Sequence, residues 1–196
     1  MKYFSIFLFF VFAFNTINAQ NINEQFRKID TSLKIGKVGY HIRCFNKTLD
    51  KNELAVKPEG FDNTARPLDF FVKGRIAKVE IDDLNNDGYP DLIVYLYTGD
   101  EGVIGMVYAF MSVENKSITA TALPDVQLDG KIKEGYKGHD QFSLLEGMLM
   151  QKFPIYKPGD DKDKPTGGTR VIQYQITGSG DAGYKFKMVR FYETKS

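Results

Sequence analysis

Tryptophan is absent from the 196-residue chain, cysteine occurs once and histidine twice. The lone Cys44 excludes an intramolecular disulfide and a thiolate metal cluster. His41 and His139 are too few for a multi-histidine zinc site. An excess of one charge is lacking as well: 26 Lys and Arg stand against 25 Asp and Glu. Composition therefore supplies no electrostatic reason to expect nucleic acid or a membrane surface as partner. No phosphate-cradling glycine loop and no repeat of fixed period is present. What is abundant is aromatic, with 16 Phe and 11 Tyr.

The one long apolar run lies at the start. Lys2 precedes a stretch rich in Phe (Phe7, Phe9, Phe10, Phe12, Phe14), followed by a polar step to Ala19. This is the three-part plan of a secretory leader cut before Gln20. The apolar stretch from Tyr3 to Phe14 is shorter than the ~20 residues that span a bilayer, and no Cys near the cut offers a lipid anchor. Residues 1–19 are expected to be removed, leaving 20–196 as one exported β domain, periplasmic or secreted and free of the membrane. Removal of Lys2 leaves 25 basic residues against 25 acidic ones.

Beyond the leader the pattern is that of strands. Gln20 to Leu33 has a weak helical spacing (Ile22, Phe26, Ile29, Leu33), which predicts a short helix or a loose arm. After Gly36 the period becomes two: Val38, Tyr40, Ile42 and Cys44 alternate with Gly39, His41, Arg43 and Phe45. Further strands are expected over Glu53–Lys57, Phe70–Ile81 with a bulge at Gly74, Leu92–Tyr97, Ile104–Met111 and Ser117–Leu123. Phe142–Leu145, Met148–Tyr156, Thr169–Ile176 and Tyr184–Tyr192 complete the set. The expected fold is all-β, an antiparallel sandwich or barrel, with at most a short N-terminal helix.

Asp83-Leu84-Asn85-Asn86-Asp87-Gly88-Tyr89-Pro90-Asp91 is the sharpest local chemistry. Asp83, Asn85, Asp87 and Asp91 place side-chain oxygens at loop positions 1, 3, 5 and 9, and the Tyr89 carbonyl adds a fifth donor. Calcium takes six to eight such oxygens, so the spacing suits it. Position 12 is Val94 rather than Glu, so the loop is no EF-hand. With strands on both sides it resembles the calcium loops of FG-GAP or VCBS-type β-structures. The same residues also build metal-free Asx-turns, and both readings stay open; a bound calcium would be structural.

Weaker candidates have bland readings. Cys44 is expected as a small buried residue, and His41, on the opposite strand face, is badly placed to activate it. Ser179 lacks the strand–elbow–helix setting of a hydrolase nucleophile. Asp140 and Glu146 could be paired as glycosidase carboxylates, as could many other acids in this chain. Asp160, Asp161 and Asp163 fall in an exposed loop, Lys157 to Gly168.

Several segments together resemble one family, the periplasmic inhibitors of invertebrate-type lysozyme. They are Asp83 to Tyr97, then Gly138-His139-Asp140 with Phe142, then Glu146-Gly147. Phe153-Pro154-Ile155-Tyr156, Pro158-Gly159-Asp160, Thr166-Gly167-Gly168-Thr169-Arg170 and Gln173-Tyr174 follow in the same order. The resemblance runs from about Gly74 to the C-terminus, and Gln20 to Lys73 carries no matching motif. It implies a β-sandwich-like fold, a periplasmic location, no enzymatic activity, and a loop that plugs the lysozyme cleft. Family inhibitors place a Ser-Gly-x-Tyr motif there, which would fall on Glu101-Gly102-Val103-Ile104, within the loop Thr98, Gly99, Asp100, Glu101, Gly102, Val103, Ile104, Gly105. Glu101 and Ile104 depart from that motif, and Asp100 with Glu101 brings negative charge toward two enzyme carboxylates.

Two readings follow. One is a secreted lysozyme inhibitor whose partner is an invertebrate-type or related lysozyme. The other is a secreted, calcium-stabilised β module that binds another protein or a glycan. A homodimer is compatible with either.

Overall fold

The computed structural model describes residues 17–18, 28–180 and 182–195. Strand β1 is the two-residue Ile17–Asn18. Strands β2 (Ile29–Ile35), β3 (Val38–Cys44), β4 (Asn52–Glu59) and β5 (Leu68–Val72) form a first antiparallel meander. Strands β6 (Arg75–Asp82), β7 (Asp91–Thr98), β8 (Ile104–Val113) and β9 (Ser117–Ala122) form a second. A third comprises β10 (Gln141–Leu145), β11 (Met148–Pro154), β12 (Thr169–Ser179) and β13 (Gly183–Thr194), with β1 on the β10 edge.

The second sheet is the middle layer, and its composition explains why. A strand covered on both faces reads as a continuous apolar run, because successive side chains point to opposite sides. In β7 all eight residues are buried. Ile93, Tyr95 and Tyr97 enter one core with Phe142, Leu149, Phe153, Ile172 and Tyr174 of the third sheet. Leu92, Val94 and Leu96 enter another with Tyr40, Ile42, Leu54 and Val56 of the first sheet. Each such side chain contributes roughly 1.5–3 kcal/mol, which makes β7 the spine of both cores. The protein is an all-β antiparallel sandwich of three layers.

The period-two reading of Val38 to Cys44 matches β3, and Cys44 is buried, with its thiol pushed up by desolvation. His41 points the other way, 2.9 Å from Asp30. Two expectations change. Phe70 to Ile81 is not one bulged strand: β5 ends at Val72 in the first sheet and β6 starts at Arg75 in the second. Gly74 makes the crossing at φ +109°, where a Cβ would lie 2.7 Å from the Tyr97 carbonyl, so only glycine fits. The helical spacing before Leu33 is also overridden, since Ile29–Ile35 is an edge strand paired to β3. Among the described residues the helical content is one 3-10 turn, Val126–Leu128. The remaining leader and arm residues lie outside the described residues.

Candidate functional site

Both ends of the β7–β8 hairpin carry a candidate site, and each end is held by a buried aspartate. At the tip, Asp140 has no exposed surface. Its Oδ2 accepts from the Gly105 amide (2.7 Å) and the Tyr136 hydroxyl (2.6 Å), and its Oδ1 accepts from Gln151 Nε2 (2.7 Å). The Tyr97 hydroxyl donates to the Asp140 carbonyl (2.9 Å), and Tyr174 donates to Gln151 Oε1 (3.1 Å). Burial raises the Asp140 carboxyl to about 6, against the pull of its three donors.

This network fixes the loop Thr98–Gly105. The His139 amide donates to the Val103 carbonyl (2.7 Å). A Cβ at position 105 would lie 2.4 Å from the Phe142 ring, so glycine is what lets the hairpin settle onto Asp140. From the β3–β4 connection, Leu49 accepts the Thr98 hydroxyl through its carbonyl (2.9 Å) and packs its side chain on Gly102. Asp100 and Glu101 are exposed; Thr98 and Gly102 are buried, and Gly99, Val103, Ile104 and Gly105 are half-buried. Ile104 folds back against Gly99.

A second loop leans on this tip. In residues 157–168, Asp160 accepts from the amides of Lys157 (2.7 Å) and Thr166 (2.8 Å) and from the Thr166 hydroxyl (2.8 Å). Those bonds hold its carboxyl below the usual range. The Tyr156 hydroxyl donates to the Lys162 carbonyl (2.7 Å), and Lys162 Nζ reaches Glu101 Oε1 at 2.9 Å. Between tip and loop lies an open cleft of about 300 Å3, lined by Gly99, Asp100, Glu101, Val103, Ile104, Lys137, His139, Tyr156 and Lys162. Arg170 supports the far side, donating to the carbonyls of Ile132 and Glu134 in the connection that carries Tyr136.

At the opposite end the acidic loop is organised by its own backbone. Asp91, fully buried, accepts the Leu84 amide (3.0 Å) and the Ser112 amide (2.8 Å). Asp83 accepts the amides of Asp87 (2.9 Å) and Gly88 (2.8 Å), and Asp87 accepts the Tyr89 amide (2.9 Å). Tyr40 of the first sheet donates to the Pro90 carbonyl (2.8 Å), while Gly147 lies against the carbonyls of Asp83 and Leu84. Desolvation, with Asp87 and Asp83 nearby, raises the Asp91 carboxyl to about 7.

The donors suit a hard cation in part. Each carboxylate oxygen that accepts one amide keeps a second lone pair, and the buried Asn85 Oδ1 has no hydrogen-bond partner. Among the described residues, however, no three His, Cys, Asp or Glu side chains converge as a ligand set. Asp83, Asn85, Asp87, Tyr89 and Asp91 thus share one loop without forming a closed cage.

The structure also sorts the weaker candidates. Asp140 and Glu146 flank β10, roughly 20 Å of extended chain apart, beyond the ~5–9.5 Å of a glycosidase pair. Ser179 closes β12 at the turn into β13. Asp160 is a staple of its loop, a role the sequence alone did not suggest, since its partners lie three residues before it and six after it rather than at the two-residue spacing of an Asx-turn. The Asp140 network was missed, because its partners lie 35, 4 and 11 residues away. Comparison with protein-family models, curated proteins and solved structures returned no match.

Proposed function

We propose that this is a secreted, non-enzymatic inhibitor of a lysozyme, acting through the tip Thr98–Gly105 of the β7–β8 hairpin. The observation that carries the reading is the bracing of that tip by Asp140, His139 and Leu49. A loop already held in one conformation loses little entropy when it enters an enzyme cleft. The sequence motifs behind the family resemblance fit the same reading: Gly138-His139-Asp140 holds the tip, and Arg170 holds the segment bearing Tyr136. A cut after Ala19 would take β1 away and leave β10 as a free edge of the third sheet. The test is residual activity of invertebrate, chicken and goose-type lysozymes titrated with the purified protein. Inhibition of any one is the expected result; full activity of all three contradicts the reading.

The orphan Asn85 Oδ1 favours a second, compatible reading, in which calcium held by Asp83, Asn85, Asp87, Tyr89 and Asp91 stabilises a binding module. Calcium would supply structural cross-linking of the loop. A ligand present at 100 times its Kd adds about 2.7 kcal/mol, so calcium should raise Tm above its value in chelator. An Asp87→Ala variant should lose that gain; equal Tm with calcium and chelator in the wild-type protein removes the reading.

A further inference from the structure

The tip of the β7–β8 hairpin presents two exposed carboxylates, Asp100 and Glu101, and no hydroxyl at positions 101 or 104. Against a lysozyme, whose cleft holds two carboxyl groups of its own, such a tip would be repelled. The cation that answers this comes from another part of the chain. Lys162 sits on a loop whose backbone is fixed twice, by the Asp160 staple and by the Tyr156 hydroxyl on the Lys162 carbonyl. Its ammonium lies on Glu101, and both side chains are more than half exposed. An ion pair in that setting is weak and exchangeable. Lys137 and His139 line the same cleft, so a second ammonium, that of Lys137, stands in the cleft with the acids.

Resting on the inhibitor reading, we propose that Lys162 is the residue that meets the acidic pair of the target enzyme. The partner is thereby specified by chemistry: a glycosidase with paired carboxylates in an open cleft. On docking, the Lys162 ammonium exchanges Glu101 for an enzyme carboxylate. Asp100 and Glu101 turn toward the rim, and the fixed backbone of the 157–168 loop keeps the ammonium at the tip throughout. No covalent step is involved.

The experiment is lysozyme inhibition by the wild-type protein and by Lys162→Glu, Lys162→Arg, Lys162→Gln and Glu101→Gln/Lys162→Gln. Thermal melts establish that each variant is folded, as expected for an exposed side chain. Lys162→Glu and Lys162→Gln should raise the half-inhibitory concentration about tenfold or more, and Lys162→Arg should retain inhibition. Wild-type inhibition should weaken with added salt. Inhibition by Lys162→Glu equal to wild type overturns the inference and leaves the inhibitor reading standing. Full inhibition by the double variant shows that Lys162 only cancels Glu101, and overturns the direct contact. Absence of inhibition by the wild-type protein overturns the reading and the inference with it.

Discussion

Asp91 and Asp140 stand at opposite ends of the same central hairpin, both without exposed surface, yet they are held in different ways. Asp140 gathers three donors from three separate parts of the chain: an amide of the tip, a phenol and a side-chain amide. Asp91 has two, both backbone amides, with Asp83 and Asp87 close by. The carboxyl with more donors is shifted less, to about 6, and the one among other acids rises to about 7. Burial is the main cause of both rises; donor number and neighbouring charge account for the difference between them. One end is a single buried carboxyl cross-linked by three donors, and the other is a buried carboxyl in an acidic loop with further carboxylates close by.

The comparison can be broken most forcefully at Asp140. Asp140→Ala leaves an amide, a phenol and a side-chain amide without their shared acceptor, and should cost about 3–5 kcal/mol. Urea denaturation would measure it, and hydrogen exchange at Gly105 should accelerate with it. Asp91→Ala strands two donors rather than three and should cost about 2–3 kcal/mol in chelator, with exchange accelerating at Leu84 and Ser112 but not at the tip. Equal exchange changes at both ends in either variant would dissolve the distinction.

A pH series sharpens it. Both carboxyls have folded-state values above the ~3.9 of an unfolded Asp, so the native state binds more protons than the unfolded state over that interval. Their contribution to stability is complete below about pH 4 and is lost as pH rises through about 6 for Asp140 and about 7 for Asp91. In chelator, the two should make the protein on the order of 2–4 kcal/mol more stable at pH 5 than at pH 8. Asp91→Asn should remove the upper part of that slope. Calcium in the acidic loop would flatten the same part, because a nearby cation favours the ionised form. The smallest effect is expected at the exposed tip: Glu101→Gln should leave Tm unchanged, since the Lys162 pair is solvent-exposed.

Much of the fold was legible in the residues because hydrophobic period is a local signal. The alternation from Val38 to Cys44 and the unbroken run from Leu92 to Tyr97 correspond to β3 and β7. What the run could not disclose is which sheets cover its two faces, since that depends on pairing partners far away in sequence. Gly74 illustrates the limit: a glycine within an apolar stretch fits a bulge or a crossing between sheets equally well, and only the close Tyr97 carbonyl decides. That crossing also divides the molecule by resemblance. The family-like motifs begin near Gly74, and the unmatched stretch before it contains the first sheet, which clamps both hairpin ends through Tyr40 of β3 and Leu49 of the β3–β4 connection. The candidate loops were visible as sequence, and Asp140 and Asp160 stood out as motif residues, but the Asp140 network and the Lys162–Glu101 pair were not visible, because they join segments far apart in the chain.

The most direct test follows the amides of both hairpin ends while a lysozyme that the protein inhibits is added. Hydrogen exchange should slow at residues 99–104 and across 157–168, and remain unchanged at 83–90. Protection confined to the acidic loop, with the tip exchanging as in the free protein, would contradict the assignment of Thr98–Gly105 as the inhibitory loop.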